Sequence, residues 1–320
     1  MAERPHKPIR AAGSLTRAAK AVRSGFRRYP RAILESVFDG EEHPVYAGTM
    51  PGLGPHALAL SWVGHASVLC RIDGVQLAVD PVLSNRIGPR ILSRTVGPRR
   101  LVPAPVRAED LRGLDAVLIT HAHYDHLDRP TLQALAHPET RVLTAPGCVG
   151  LVPPGYANVS EIRAGETRRI ASLRIDAIEP RHWGARSVFD RHRGVCAYLV
   201  ESVRRRVLFA GDTAMTDAFD NLGPLDVAVF GIGAYEPWEH MHATPEQVWA
   251  MFRASGARFL LPVHHATFEL SDEPPDEPMR RLKEAAGDDV SKILDTGIGE
   301  VVVIDPDPVA AGTRDQPDPT

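Results

Sequence analysis

The segment Leu114–Asp128, which reads LDAVLITHAHYDHLD, decides the fold of this chain. Its first part is an apolar run rich in branched residues, typical of a buried strand. Three histidines and two aspartates follow within eight residues. Because residues i and i+2 of an extended chain point the same way, His121 and His123 can face one metal ion. Asp125 and His126, after the chain bends, can face a second.

This set of side chains indicates a catalytic metal site. Imidazole nitrogens and carboxylate oxygens are suitable ligands for zinc and neighbouring first-row metals. The segment contains no cysteine, and sites without thiolate ligands are more often catalytic than structural, with positions left open for water. A single histidine here would more often be satisfied by the backbone or by solvent, so the prediction depends on the density of ligands.

Three further runs of strand length end near a residue that can bind a metal: His182 after residues 173–179, Asp212 after 206–210, and His264 after 258–263. In α/β folds the ends of strands collect functional residues at one edge, so we expect these side chains to converge. Two metals about 3.5–4 Å apart need a bridging group, and Asp212 is the candidate. Asp80, which ends the run 75–79, is predicted to orient a ligand histidine, although it also fits a simple strand end before a proline.

The rest of the pattern predicts a layered α/β architecture. Residues 57–63, 67–72 and 75–80 read as a β-meander with an Asp73-Gly74 turn, and after residue 105 strand-like runs alternate with helical patterns. One helix is well marked: Thr244 is the predicted N-cap, with Pro245 next and Gln247 completing a capping box, and Gly256 is the predicted C-terminal stop.

Composition narrows the class of protein. Hydrophobic residues make up 43 % of the 320 residues, enough for a sizeable core. No run approaches the roughly 20 apolar residues of a membrane-spanning helix, and no secretory leader follows the basic N-terminus, so we expect a cytoplasmic protein. Three cysteines without a Cys-x-x-Cys spacing predict neither disulfides nor a cysteine zinc site.

At this point the motifs identify a family. His121-x-His123-x-Asp125-His126, with a later histidine, a Gly-Asp pair and a final histidine, resembles the metallo-β-lactamase superfamily. More narrowly, the chain is similar to the branch that contains N-acylphosphatidylethanolamine-hydrolysing phospholipase D. The segments that carry this likeness are residues 62–67, 80–82, 97–100, 115–119, 209–213, 232–237 and 264–268. The resemblance implies an αββα sandwich with the active site at one edge.

The resemblance also implies roles for individual residues. One metal would be held by His121, His123 and His182, the other by Asp125, His126 and His264, with Asp212 as the bridge. The ions would be zinc, with manganese or iron as alternatives. Asp125 and His242 would belong to the catalytic machinery, His242 by handling the phosphate. We expect four further residues of the shared motifs to lie around the ligands or the substrate: His65, Asp80, Arg99 and Tyr235.

The sequence departs from the family at two places. His265 stands where the family has a tryptophan after the last ligand histidine, and residues 147–166 have no counterpart to the segments around the mammalian lipid enzyme's substrate tunnel. We therefore keep several functions open. The first is a phosphodiesterase acting on a phospholipid-like, N-acylphosphatidylethanolamine-type substrate through a metal-bound hydroxide. The alternatives are a lactonase or esterase of the same superfamily, and a metal-binding scaffold or sensor, which the complete ligand set disfavours.

Residues 57–304 form the predicted hydrolase domain. Residues 1–56 are a basic arm and lead-in segment, and residues 305–320 read as a disordered tail. Within the arm, apolar residues at helical spacing are flanked by arginines and lysines. This pattern fits a helix that contacts an anionic membrane surface peripherally. The alternative is a helix that is solvated or docked on the core. Arg99 and Arg100 favour an anionic substrate, either a small molecule or a lipid. The alternative is that both arginines lie on the solvated surface. The sequence contains no basic patch with interleaved aromatic residues, so we expect no nucleic-acid partner.

Overall fold

A computed structural model describes Tyr46, residues 52–91, 94–186, Asp190 and residues 192–304. The predicted basic arm, apart from its last few residues, and the predicted tail lie outside the described residues. Three α-helices occur in the described part: α1 (Arg129–Leu135), α2 (Pro245–Ser255) and α3 (Glu277–Ala286). Short 3-10 helices span Ala108–Leu111, Val149–Leu151 and Gly287–Lys292.

The strands of the described part are β1 (Leu58–Gly64), β2 (Ser67–Ile72), β3 (Val75–Val79), β4 (Arg90–Ile91), β5 (Arg94–Thr95), β6 (Ala116–Ile119), β7 (Arg141–Thr144), β8 (Asn158–Glu161), β9 (Thr167–Ile170), β10 (Leu173–Ile178), β11 (Ala197–Glu201), β12 (Arg206–Phe209), β13 (Leu225–Gly231), β14 (Ala257–Val263) and β15 (Val301–Val303). All but β4 and β5, which form a small hairpin, belong to two large mixed sheets.

The first sheet has the strand order β15-β1-β2-β3-β6-β7-β8, and the second has the order β14-β13-β12-β11-β10-β9. In the first sheet β1, β2 and β3 form the predicted antiparallel meander, and β3, β6, β7 and β8 are parallel. In the second sheet β12, β13 and β14 are parallel. Parallel neighbours end on the same side, so each sheet has an edge that collects strand ends.

The two sheets enclose the main core. Leu60 and Leu118 of the first sheet and Ile175 and Val207 of the second belong to one continuous cluster of buried side chains. Every residue of β1 and β6 is buried, as expected for strands covered on both faces. Leu132 of α1 packs into this cluster as well.

A second core lies between the second sheet and two helices. Phe252 of α2 and Leu282 of α3 pack with Leu208 and Phe230 from strands β12 and β13. Helices therefore cover the sheets from outside, and the predicted αββα sandwich is confirmed. Within the described ranges, no helix is long and apolar enough to span a bilayer.

Helix α2 begins and ends as its sequence predicts. The Thr244 side chain accepts a hydrogen bond from the Gln247 backbone, and the Gln247 side chain accepts one from the Thr244 backbone. Gly256 ends the helix in the left-handed conformation, with φ of 79°. Sequence reasoning did not mark α1, α3 or the strands β4, β5, β7, β8, β9 and β15, because these elements lack comparable local signals.

Replacing the cap of α2 tests its contribution to stability. We expect Thr244→Ala to lower the free energy of unfolding by about 1 kcal/mol, because the backbone N–H of Gln247 loses its hydrogen-bond partner. Denaturant titration should show a lower midpoint with an unchanged slope. The control is Gln133→Ala, on the exposed face of α1, which should leave the midpoint nearly unchanged. Equal midpoints for wild type and Thr244→Ala would contradict this account.

Candidate metal centre

The candidate ligands lie where strands of both sheets end at a common edge. His121, His123, Asp125 and His126 follow β6, His182 follows β10, Asp212 follows β12, and His264 follows β14. His65 and Asp80 come directly after β1 and β3. The structure therefore brings together all seven ligands that the sequence predicts, as the convergence of strand ends required.

The chain turns sharply at several of these positions. His65, Asp80 and His264 have φ of 52°, 43° and 61°. Non-glycine residues rarely adopt this left-handed region, and such residues concentrate at functional sites, where packing holds them in place. Gly211, next to Asp212, also has a positive φ of 61°, and a Cβ there would lie 3.1 Å from the Thr120 side chain. The backbone is shaped to bring these side chains to the edge.

The first set of candidate ligand atoms comprises three imidazoles and the Asp212 carboxylate. His121 Nε2 lies 2.9 Å from His123 Nδ1, which lies 3.4 Å from His182 Nε2. Asp212 Oδ2 lies 3.8 Å from His121 Nε2 and 3.7 Å from His182 Nε2. These four residues can place one atom each within 4.8 Å of one another, which is close enough to surround a single ion.

The second set combines carboxylates with imidazoles. Asp125 Oδ2 lies 3.5 Å from His264 Nε2 and 3.9 Å from His126 Nε2. His65, Asp125, His126 and His264 again offer atoms within 4.8 Å of one another. His65 Nε2 lies 2.9 Å from Asp125 Oδ2, so a neutral His65 can donate a hydrogen bond that orients the carboxylate.

Asp212 lies between the two sets. Its Oδ2 is 3.1 Å from His126 Nε2 in the second set as well as near the imidazoles of the first, and its Oδ1 is 3.3 Å from His264 Nε2. A carboxylate in this position can serve two ions with its two oxygens. Its placement agrees with the predicted bridge.

Asp80 lies behind the ligands. Its Oδ2 is 2.7 Å from His126 Nδ1, which directs the other ring nitrogen towards the metal site. The same carboxylate accepts hydrogen bonds from the backbone and the hydroxyl of Thr120. Thr120 Oγ1 also lies 3.0 Å from His121 Nδ1, so this residue, which sequence reasoning missed, contacts ligands of both sets. On the other side, His182 Nδ1 lies 3.0 Å from the Met241 carbonyl.

Charges within the site balance one another. Burial disfavours the ionised form of Asp212, but His126 and His264 hold the pKa of its carboxyl well below the usual range. Burial also opposes charge on His264, yet Asp212 and Asp125 raise its pKa to about 9. Burial lowers the pKa of His182 to about 4, because the opposing effect of the Asp212 carboxylate is smaller than the cost of burying a charged ring. The buried carboxylates thus draw positive charge into the site.

The residues present fit divalent metal ions. Within the part of the chain that the structure describes, the buried atoms without a hydrogen-bond partner include His126 Nε2, His264 Nε2 and Asp212 Oδ2. His126 Nε2 and Asp212 Oδ2 lie 3.1 Å apart, and each belongs to a group of side chains that could hold a metal ion. Leaving buried polar atoms unpaired is costly, and metal ions would satisfy them.

The other predicted residues lie in different surroundings. His242 Nδ1 is 3.9 Å from Asp212 Oδ2, which puts His242 beside the ligands. Arg99 is exposed, whereas Arg100 is buried and donates a hydrogen bond to the Val63 carbonyl. The Tyr235 hydroxyl donates a hydrogen bond to Glu277 of α3 rather than to a ligand. Arg99 and Tyr235 are thus not in direct contact with the predicted metal ligands, and their substrate roles stay predictions.

Comparisons with known proteins agree with this geometry. A family profile described as the beta-lactamase superfamily domain matches residues 76–265. An uncharacterised protein of Mycobacterium tuberculosis is 35 % identical over 244 residues, 72 % of this chain and 64 % of that protein. The N-acyl-phosphatidylethanolamine-hydrolyzing phospholipase D 1 of Caenorhabditis elegans is 31 % identical over 249 residues, 71 % of this chain and 69 % of that one. The isothiocyanate hydrolase from Delia radicum gut bacteria has the same fold, with a TM-score of 0.62 and 19 % identity over 77 % of this chain and 99 % of that chain.

The chain belongs to the metallo-β-lactamase superfamily, in the branch that contains the N-acylphosphatidylethanolamine-hydrolysing phospholipases D. The family predicted from the sequence is thereby confirmed, and the predicted hydrolytic class agrees with the name of the Caenorhabditis elegans relative. The chain spans slightly less than two thirds of the mycobacterial relative's length.

The first prediction from the site concerns Asp80. We expect Asp80→Asn to weaken metal binding about 10- to 100-fold, because His126 loses the carboxylate that orients its ring. Asparagine tolerates the left-handed backbone, so the fold should persist. A chelator competition titration measures the affinity. The control is Asp115→Asn, whose carboxylate accepts a hydrogen bond from Gln76 at the far end of the same strand pair. Equal affinities for both variants would refute the orienting role.

The second prediction concerns the number of metals. Seven convergent ligands are too many for one four-coordinate ion, so we expect two ions per chain in metal-supplemented protein. Asp212→Ala should reduce the metal content below two ions per chain, because it removes the carboxylate that both ions would share. Asp217→Ala, which changes an exposed residue of the same loop, should retain both ions. Elemental analysis provides the count. One tightly bound ion in the wild-type protein would contradict the dinuclear site.

Proposed function

We propose that this chain is a dinuclear metal-dependent phosphodiesterase that hydrolyses a phospholipid-like substrate of the N-acylphosphatidylethanolamine type. The observation that carries the proposal is the pair of ligand sets with Asp212 between them. Two bound ions would suit displacement at phosphorus, because they would stabilise the charge on the attacking and the leaving oxygen. The name of the 31 % identical Caenorhabditis elegans relative supports the same substrate class.

Different residues of the chain would hold the two ions. His121, His123 and His182 would hold one ion, Asp125, His126 and His264 the other, and Asp212 would contact both. Nitrogen-rich ligand sets of this kind favour zinc, with manganese and iron as alternatives. Bound divalent ions would polarise the phosphate group and lower the pKa of a coordinated water. Asp125 Oδ2 lies 2.9 Å from His65 Nε2 and 3.5 Å from His264 Nε2, so His65 would hold this carboxylate oxygen beside the second ligand set.

His242 is the best placed residue to contact the substrate. Its side chain is 17 % exposed, whereas those of His121, His182 and His264 are each 1 % exposed. Its ring lies 5.0 Å from that of His182 and 5.4 Å from that of His264, between the two ligand sets. From this position its N–H can donate a hydrogen bond to a phosphate oxygen, or the imidazole can transfer a proton to the leaving group.

A substrate screen tests the proposed reaction. Metal-loaded protein should hydrolyse soluble phosphodiesters and N-acylphosphatidylethanolamine faster than lactones or carboxylic esters, because only the phosphodiester has a charged oxygen pair for both ions. Product analysis identifies the bond that is cleaved. Faster turnover of a lactone or an ester would show that the protein is a lactonase or an esterase and not a phosphodiesterase. No turnover of any substrate would favour a metal-binding scaffold or sensor.

A variant of His242 tests its role. We expect His242→Ala to retain two metals but lose at least about 100-fold in kcat, the usual range for removing a general acid or base. His240→Ala, which changes an exposed histidine two residues away, should keep both metals and full turnover. Loss of metal in His242→Ala would make His242 a ligand, in line with its closeness to Asp212 and His264. Normal turnover would make it a structural residue.

A further inference from the structure

Strand β1 is irregular just before it reaches the metal site. Its pairing with β2 shifts register between Trp62 and Gly64, so Val63 is an extra residue without an opposite residue on β2. A β-bulge of this kind bends its strand and re-aims the side chains that follow, and bulges are common beside active sites. The side chain that follows this bulge is that of His65.

The bulge leaves the buried carbonyl of Val63 outside the pairing of β1 with β2. Buried backbone groups are almost always paired, because an unpaired one costs about as much as a lost hydrogen bond. Arg100 supplies the partner, since its Nη2 donates a hydrogen bond to this carbonyl over 3.0 Å. Among the described residues, Arg100 Nε and Nη1 have no hydrogen-bond partner, so the Val63 carbonyl is the acceptor to which the guanidinium is directed.

Gly64 allows the guanidinium to lie against the bulge. Its φ of 103° belongs to the region that glycine adopts without strain. A Cβ at this position would lie 2.6 Å from Arg100 Nη2, which is too close for the two atoms to coexist. The arginine and the glycine therefore depend on each other at this turn.

We propose that Arg100 is a positioning residue for the second ligand set, acting through the Val63 bulge on His65 and through His65 on Asp125. The inference deepens the proposed function and rests on it, since the second ligand set is where one of the two ions would act. It also changes the role of an arginine that the sequence favoured as a contact for an anionic substrate. That arginine is 7 % exposed and is bound to the backbone.

The backbone of His65 links the bulge to both sheets. Its N–H donates a hydrogen bond to Thr267 Oγ1 over 2.7 Å, and its carbonyl accepts one from the His264 N–H over 2.8 Å. Trp62 Nε1 donates to the same carbonyl over 2.7 Å. On the side of the metal site, His65 Nε2 lies 2.9 Å from Asp125 Oδ2. A shift of the bulge would therefore move the imidazole that holds Asp125.

An aromatic contact also couples Arg100 to the ring of His65. The guanidinium carbon of Arg100 lies 5.6 Å from the centroid of the Phe268 ring, within the range of a cation–π contact. The Phe268 ring meets the His65 ring edge to face, with centroids 5.3 Å apart. The backbones of Arg100 and Phe268 form an antiparallel bridge, which fixes the two side chains next to each other. Arg100 thus supports both the backbone and the ring of His65.

Keeping a charged side chain in this place is costly. Burial lowers the pKa of the Arg100 guanidinium to about 10, so the side chain is still charged at neutral pH. An apolar side chain would avoid the cost of burying a charge, but it could not donate a hydrogen bond to the Val63 carbonyl. The planar guanidinium can donate this bond while its face lies over an aromatic ring. These two contacts are what the arginine contributes.

Metal affinity tests this role. We expect Arg100→Met to lower the affinity for one of the two ions about 10-fold, the lower end of the usual effect of losing a residue that orients a ligand, and to leave the other ion unaffected. Chelator competition gives both affinities, and the visible spectrum of Co²⁺-loaded protein reports the changed geometry of the weakened site. Arg100→Lys should recover part of the affinity, because lysine keeps a charged donor.

Arg205→Met is the matched control. Arg205 is also a buried arginine, 3 % exposed, and its Nη2 donates a hydrogen bond to the Ile304 carbonyl over 3.0 Å. It lies just before β12, at the opposite end of that strand from Asp212. Its loss should reduce stability and leave both metal affinities and the Co²⁺ spectrum unchanged. Equal losses of metal affinity in Arg205→Met and Arg100→Met would show that Arg100 contributes only stability, which overturns the proposal.

A double-mutant cycle tests the route through His65. Asparagine tolerates the left-handed backbone at this position, where φ is 52°, so His65→Asn removes the imidazole and should keep the turn. If Arg100 acts through His65, Arg100→Met should cause little further loss of affinity in the His65→Asn background. Fully additive losses from the two substitutions would overturn the proposed route.

A further variant covers the case in which Arg100→Met fails to fold. Phe268→Leu removes the ring that lies between the guanidinium and the imidazole but keeps an apolar side chain in its place. It should weaken the same ion that Arg100→Lys weakens. Unchanged affinities in both of these variants would overturn the role of Arg100.

The measurements also separate this role from the proposed function, because they record metal binding and not turnover. Wild-type metal affinities in Arg100→Met would overturn the role of Arg100 and leave the phosphodiesterase intact. A wild-type protein that hydrolyses no phosphodiester would overturn the proposed function, while weaker binding of one ion in Arg100→Met, and not in Arg205→Met, would still establish Arg100 as a positioning residue.

Discussion

Two carboxylates surrounded by histidines, one buried and one partly buried, set the constraint that this structure must satisfy. Asp125 and Asp212 lie at the meeting point of both sheets, and burying ionised carboxylates is costly unless cations or hydrogen bonds compensate. His126 and His264 compensate part of this cost, as the lowered pKa of Asp212 shows. Divalent metal ions would satisfy the remaining unpaired atoms of the site.

The strand register holds that arrangement in place. Strands β3 and β6 pair so that Val79 lies opposite Leu118, which brings Asp80 beside Thr120 and His126. A slip of one residue would turn the side chains to the opposite face. The apolar residues of the two strands, buried in the core, oppose such a slip. Core packing and ligand orientation are thus two consequences of the same pairing.

The candidate metal ligands and the groove beside them are formed by different parts of the fold. The metal ligands follow strand ends and lie on rigid elements, as the positioning of reacting groups requires. The groove beside them is formed by the loops around Pro146, Ala164, Trp183 and Gly194, and loops accept changes that strands do not. This division explains how one metal-binding edge can serve a family whose members differ in substrate.

The sequence by itself determined the local features. The segment from Leu114 to Asp128 marked a strand and its ligands, and the capping box at Thr244 marked a helix to the residue, because these signals depend on neighbours in the chain. Only the tertiary structure decided what depends on distant residues. It placed Asp212 between two ligand sets, turned Tyr235 towards Glu277, and revealed that Thr120 contacts both ligand sets and that Trp183 lines a groove. These facts arise where strand ends and loops far apart in sequence meet, and no local pattern records that meeting.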